Sequence, residues 1–280
     1  MKIITKIIKN YLNFLAFLSP KLASNSVFNL FQTVTLKKIK IREKEFYNIT
    51  TEFTVPLEKE DLKCYQLGNN DDKLVFLVHG WNSNIGCLTL FAKELAKQNY
   101  KVIGFNLPGH GTHKKSKTNL VESKNAFLKL IEFINPKQPI HIISHSFGSA
   151  VTSYMLPELN FKVDKVVFLT SNNKFLDIFN HFKNMLDFND KVFNLFKSKV
   201  EGYVNEKAED MVIADKINQS NINELLLIHD RFDKVIPFKD SEEIHNAVKN
   251  STIIPFEKIG HYRMLWNEDV VKETINFITK

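Results

Sequence analysis

The sequence predicts an α/β protein built on a mostly parallel, doubly wound sheet, and three observations carry that expectation. Short continuous apolar runs, such as Leu74–Val78 and Ile140–Ile143, recur along the chain, as strands buried on both faces do. Segments with helical spacing alternate with them, which implies right-handed βαβ units. Polar clusters close several of the runs, where ligands bind in sheets of this kind.

A chain of 280 residues with 44% hydrophobic and 25% charged residues can bury one large core. Its net charge of +7 is uneven: residues 1–44 hold nine Lys or Arg and one Glu, leaving the rest near −1. A basic body that binds nucleic acid is therefore excluded. Cys64 and Cys87 lack metal-ligand spacing, so a disulfide framework and a cysteine zinc site are excluded as well. Two separate thiols fit a reducing, cytoplasmic compartment.

Residues 1–44 form a basic amphipathic N-terminal extension. At about 100° per residue, Ile3, Ile4, Ile7, Ile8, Tyr11, Leu12, Phe14, Leu15 and Leu18 share one side of a helix. Lys2, Thr5, Lys6, Lys9, Asn10 and Asn13 take the other, with Phe17 the main exception. The run is too polar to span a bilayer and makes a poor secretory signal. Two readings remain open: a helix packed on its own chain, or one lying in the inner membrane face with its lysines on anionic headgroups. A second short helix is expected over Ser24–Phe31, capped by Ser24 or Ser26.

The period then shortens towards two over Thr33–Leu36, Phe46–Val55 and Leu62–Leu67, read as early strands. Buried strands follow at Leu74–Val78, Lys101–Asn106, Ile140–Ile143, Lys165–Leu169, Leu225–Ile228 and Ser251–Pro255. Helices are expected over Leu88–Lys97, Asn119–Ile134, the residues after Ser146, Lys239–Val248 and Met264–Ile278. Residues 171–223 break the rhythm, are rich in Phe, and are too long for a structureless loop, so they read as inserted helices.

Between the Ile140 run and its following helix stands Ser144-His145-Ser146-Phe147-Gly148, small residues around one serine, as at a strand–turn–helix elbow. Asp230 and Asp233 follow the Leu225 run, and His261 follows the Ser251 run. Serine, acid, histidine is the chain order that suits such an elbow, with His261 taking the serine proton and a carboxylate orienting the imidazole. His79 and Gly80 read as structural, the histidine orienting its loop. His110 and His113, among Lys114, Lys115 and Lys117, read as a solvated loop, and His145 as a packing residue that is not the base.

These motifs, with His79-Gly80-Trp81, Leu107-Pro108-Gly109-His110-Gly111 and Gly260-His261, resemble the α/β-hydrolase fold superfamily, in its serine esterase and lipase-like branch with a helical cap. The resemblance implies a hydrolase domain over residues 45–280 with its cap at about 171–223, whose phenylalanines are mainly cap core. It implies Ser146 as nucleophile, His261 as base, Asp233 as acid with Asp230 its rival, and the backbone N–H groups of Trp81 and Phe147 as oxyanion hole. Ser144 stands where the family usually has glycine. No metal or organic cofactor is implied. The expected activity is hydrolysis of a small-molecule carboxylic ester with an apolar acyl group through an acyl-serine. Thioesters, amides, transfer to other acceptors, and a non-catalytic binder on the same fold remain as alternatives.

Overall fold

The computed structural model describes residues 2–35, 38–114 and 116–280, the side chains of Lys2 and Ile3 excepted. Leu36, Lys37 and Lys115, which belong to the first expected strand and the lysine-rich loop, lie outside that set. The described chain divides into two compact units, Val34–Asn173 with Ile213–Lys280, and Met1–Thr33 with Lys174–Val212.

The first unit is the sheet. Helix α1 (Lys2–Leu18) and α2 (Pro20–Phe31) precede it, and it opens with α3 (Lys44–Ile49), β1 (Thr51–Val55), β2 (Leu62–Leu67) and β3 (Leu74–Val78). Then come α4 (Thr89–Lys97), β4 (Lys101–Phe105), α5 (Leu120–Ile134), β5 (Ile140–His145), α6 (Phe147–Met155) and β6 (Val163–Leu169). After α7 (Phe175–Leu186) and α8 (Asp190–Val204), α9 (Ile213–Asn218), β7 (Ile222–Asp230), α10 (Phe238–Ala247), β8 (Ser251–Phe256) and α11 (Glu268–Thr279) complete the chain.

The strand order is β1-β2-β4-β3-β5-β6-β7-β8, with β1/β2 and β2/β4 antiparallel and every other pair parallel. Alternation across the pleat divides the core. Val75, Leu77, Ile143, Val167, Leu226 and Ile228 meet Phe91 and Leu95 of α4 and Val270 and Ile278 of α11. Phe76 and Phe105 meet Phe127 of α5, with ring centroids 5.6 and 5.0 Å apart. Because the chain runs from β3 outward to β4 and then back to β5, the strand order reverses between β3 and β5. In such sheets ligands bind at the carboxyl ends of the strands at that point.

Three local expectations are corrected. Phe46–Ile49 is helical rather than extended, because Phe46 is buried against Tyr65 and Glu43 caps the preceding turn by accepting from the Lys40 N–H at 2.8 Å. Thr33–Thr35 forms no strand: Val34 N–H donates to the Ser116 carbonyl and Thr35 N–H to Asn82 Oδ1. The second helix starts earlier, at Pro20, and its cap is Ser19, whose hydroxyl accepts from Leu22 N–H. Proline suits a first helical turn because its missing N–H would have had no partner there.

The second unit joins α1 and α2 to the inserted helices α7 and α8. Phe31 of α2 lies between Phe179 and Phe196, with ring centroids 5.6 and 5.2 Å away. Lys9 of α1 lies 3.8 Å from the Asp187 carboxylate. Strand-like pairing of Lys174 with Val212 pins the two ends of the insert together. The opening helix thus packs on its own chain, through buried Leu12 flanked by Ile8 and Leu15.

The unit boundaries differ from the expected 1–44 and 171–223 for identifiable reasons. Glu43, buried, accepts from Asn84 Nδ2 and so ties the end of the extension to the sheet unit. Asn173 holds both sides of the insert's base: its carbonyl accepts from Ile213 N–H and its Oδ1 from Ala214 N–H. Cys64 and Cys87 are separate buried thiols, and burial pushes the Cys87 thiol up to about 12.

Candidate active site

Ser146 occupies the turn between β5 and α6 with φ 53° and ψ −120°, a conformation that L-residues avoid. The turn is held because Ser146 N–H donates to the Leu169 carbonyl at 3.0 Å and its own carbonyl accepts from Ser149 N–H at 2.8 Å. Strand β3 passes so close that a Cβ on Gly148 would lie 2.5 Å from the Val78 carbonyl oxygen and 2.7 Å from that of His79. Gly148→Ala is therefore expected to cost about 2–3 kcal/mol, as overpacking a rigid backbone contact does. An unchanged midpoint in urea would mean that β3 retreats freely. Ser144, in the place of the usual glycine, is accommodated by pairing its buried hydroxyl with Thr152 Oγ1 at 2.7 Å.

The structure brings the three predicted side chains into one chain of contacts. His261 Nε2 lies 3.1 Å from Ser146 Oγ, and His261 Nδ1 lies 2.7 Å from Asp233 Oδ2. With the proton on Nδ1 donated to the carboxylate, Nε2 presents a lone pair to the serine hydroxyl. Asp233 Oδ1 accepts from the N–H groups of Val235 and Ile236 at 2.7 and 3.1 Å. Burial alone would raise the Asp233 carboxyl, but His229, His261 and these backbone donors together hold it well below the usual carboxylate range.

The rival acid does a different task. Asp230 Oδ1 accepts from Phe232 N–H at 2.7 Å and Lys258 N–H at 3.2 Å, and Oδ2 from Gly260 N–H at 2.5 Å. It binds the loop after β7 to the loop after β8 that carries His261.

Trp81 and Phe147 also come together, with ring centroids 5.0 Å apart and planes at 86°. Phe147 N–H is the first of α6, among the donors that a helix cannot pair internally. The orientation of Trp81 N–H follows from its neighbour. Buried His79 lies with Nδ1 2.8 Å from the Gly80 carbonyl, while its Nε2 accepts from Leu107 N–H at 3.0 Å. In a trans peptide, fixing the Gly80 carbonyl points the Trp81 N–H the opposite way. A Cβ on Gly80 would lie 2.9 Å from His145 Nδ1 and 3.1 Å from Ser146 Cβ, so only glycine lets this loop approach the serine.

Two histidines differ from the solvated loop expected of them. His110 is buried, accepts from Asn82 N–H at Nε2, and packs its ring 5.1 Å from Trp81. His113, buried too, lies 3.5 Å from the Glu60 carboxylate. Lys114 and Lys117 are exposed. His229 was not singled out in the sequence. It is fully buried, 3.5 Å from Asp233 Oδ2, and bonded to Ser241 Oγ and to the Ile236 carbonyl. Its spacing of four residues before Asp233, at the very end of a strand, was the available signal.

His145 holds the carbonyl of His261 through Nε2 at 3.1 Å. Burial, reinforced by the neighbouring His261, pushes its pKa down to about 3, so it stays neutral and is no base. Burial likewise lowers His141 to about 4. A histidine whose folded pKa is depressed binds its proton only after unfolding. Stability is therefore full above the unfolded value of roughly 6.5 and declines as pH falls towards the folded values, by at most about 1.4 kcal/mol per pH unit per group. Urea unfolding at pH 7 and pH 4.5 should show the loss, and His141→Gln should reduce it. Equal losses in both proteins would exclude His141 as a source.

A strained serine at a strand end, backed by an imidazole and a carboxylate from the next loops of a mostly parallel sheet, is the arrangement of a hydrolase elbow. The chain belongs to the α/β-hydrolase fold family, whose sequence profile matches residues 73–213. It is 25% identical over 213 residues to "Putative methylesterase 13, chloroplastic" of Arabidopsis thaliana, across 70% of this chain and 46% of that protein. The chain thus spans about half the length of that curated relative. Among solved structures it resembles lip1 of Acinetobacter baumannii (TM-score 0.66, 16% identity, 85% of this chain and 93% of that one). It also resembles the Pyrococcus furiosus esterase Pf2001 (TM-score 0.63, 19% identity, 88% and 96%). At such identities these structures show the shared fold.

Proposed function

We propose that the protein is a serine hydrolase that cleaves carboxylic esters through an acyl intermediate on Ser146, with an apolar acyl group favoured. The observation that carries the reading is the unbroken contact chain from Asp233 through His261 to Ser146, 2.7 and 3.1 Å in its two links. His261 Nε2 takes the proton of Ser146 as the oxygen attacks the ester carbonyl carbon. Asp233 keeps the imidazole in its donating tautomer and stabilises the imidazolium. The carbonyl oxygen, now carrying charge, is met by the N–H groups of Trp81 and Phe147. His261 returns the proton to the leaving alkoxide, and the alcohol departs. Water, deprotonated by the same imidazole, then attacks the acyl-serine and releases the acid.

The preference for apolar acyl groups rests on the apolar composition of the inserted segment, residues 171–223, and on the general character of ligand pockets. An acyl-length series of chromogenic esters, assayed with and without a competing alcohol or amine, tests both substrate and acceptor. Turnover of short or medium acyl esters to free acid supports the proposal. Ester formation with the alcohol in preference to acid would make the protein an acyltransferase, and cleavage confined to thioesters or amides would redirect the reading to those bonds. A fluorophosphonate probe that leaves Ser146 unlabelled would favour a non-catalytic binder.

A further inference from the structure

The apolar side of α1 is wider than its packing requires. Leu12 is fully buried, but Ile4, Ile7, Tyr11, Phe14 and Leu18 stand 64, 62, 53, 60 and 58% exposed, and Phe17 beside them is 87% exposed. Their spacing of three and four residues makes one continuous stripe along the helix, set apart from the buried edge. Isolated exposed apolar residues are ordinary, whereas a contiguous stripe of this kind marks a surface that meets something else.

Charge selects what it meets. Residues 1–35 contain Lys2, Lys6, Lys9 and Lys21 and no acidic residue. Lys9 is engaged by Asp187, while Lys6 and Lys21 are exposed. A second copy laid on this stripe would bring lysines against lysines with no carboxylate in the segment to answer them. An anionic lipid surface answers both features, taking the apolar stripe into the acyl boundary and the lysines into the headgroups. Among the described residues, no helix is long and apolar enough to cross a membrane. We propose that α1 docks the protein onto anionic bilayers, lying in the interface with Ile4, Ile7, Tyr11, Phe14 and Leu18 inserted.

The test uses the full chain, with phosphatidylcholine vesicles and with vesicles containing about 30% phosphatidylglycerol. The wild type should bind the anionic vesicles about tenfold or more tightly than the neutral ones, and high salt should narrow the gap. The double substitution Ile7→Glu with Phe14→Glu should weaken anionic binding at least about tenfold. Lys6→Glu with Lys21→Glu should remove the lipid preference. Both variants should hydrolyse a soluble short-chain ester as the wild type does. Should the apolar variant unfold, Tyr11→Trp supplies a second readout: brominated lipid in the anionic vesicles should quench its emission. Absence of quenching, or equal binding of the wild type to both vesicles, overturns the proposal. So does a wild-type dimer that ignores vesicles and is split by the apolar substitutions, since the stripe would then be covered by a second copy.

Discussion

Replacing Ser146 with alanine is expected to lower kcat/KM for a short-chain chromogenic ester by about four to six orders of magnitude, while KM changes little. The hydroxyl lies 3.1 Å from His261 Nε2, and alanine removes it without disturbing the contacts that hold the turn. Those contacts run through the Ser146 backbone, which bonds to Leu169 and Ser149. Stability should therefore stay near or above that of the wild type, since no buried partner loses a bond other than the imidazole. His261→Ala should cost a similar factor, and the double variant little more than either single one, because a nucleophile and its base act as a unit. Additive losses would show the two side chains working independently. Residual turnover above the aqueous rate, removed by neither substitution, would report the N–H groups of Trp81 and Phe147.

How much of this was legible in the sequence depends on where each residue finds its partners. Strands such as Leu74–Val78 and Ile140–His145 are buried on both faces, so their own composition announces them. Ser146 and His261 were legible because strand ends are marked by the abrupt stop of an apolar run. The division between Asp230 and Asp233 was legible only through the resemblance, since two carboxylates three residues apart look chemically alike until the backbone donors around them are known. His110 sits in a lysine-rich loop and looks solvated; its burial comes from Trp81, nearly thirty residues earlier. The pairing of Phe31 with Phe179 and Phe196 joins segments that no local period connects. Phe46–Ile49 shows the opposite failure, where a two-residue period was real but a buried aromatic contact settled the backbone as helix.

Asp230 is where the second large effect is expected, and it should separate positioning from chemistry. Its buried carboxylate accepts from Phe232, Lys258 and Gly260, and the last two lie in the loop that carries His261. That loop is costly to hold at Lys258, whose φ of 61° is one that residues with a side chain avoid. Asp230→Ala leaves the backbone donors around it without their charged acceptor, an expected loss of roughly 3–5 kcal/mol on the scale of hydrogen bonds to charged groups. Burial alone would raise the Asp230 carboxyl, but the donors from Gly260, Phe232, Ile259 and Lys258 together lower it. Its contribution is thus present above the unfolded value of roughly 3.9 and is lost as pH falls through the folded one. Asp230→Asn keeps the shape but turns an amide N–H towards a backbone N–H, so it should destabilise less and still displace the imidazole. A shift of about 1 Å in a reacting group can cost on the order of a hundredfold, so kcat should fall by roughly ten- to a hundredfold with KM nearly constant. Asp233→Asn should reverse the balance, losing more activity because the imidazole tautomer is no longer fixed, and less stability. Urea midpoints and kcat measured on the two asparagine variants decide the matter. If Asp233→Asn is the less damaging of the two, the assignment of acid and anchor must be exchanged, and full activity of Asp230→Asn would show that Asp230 does not position His261.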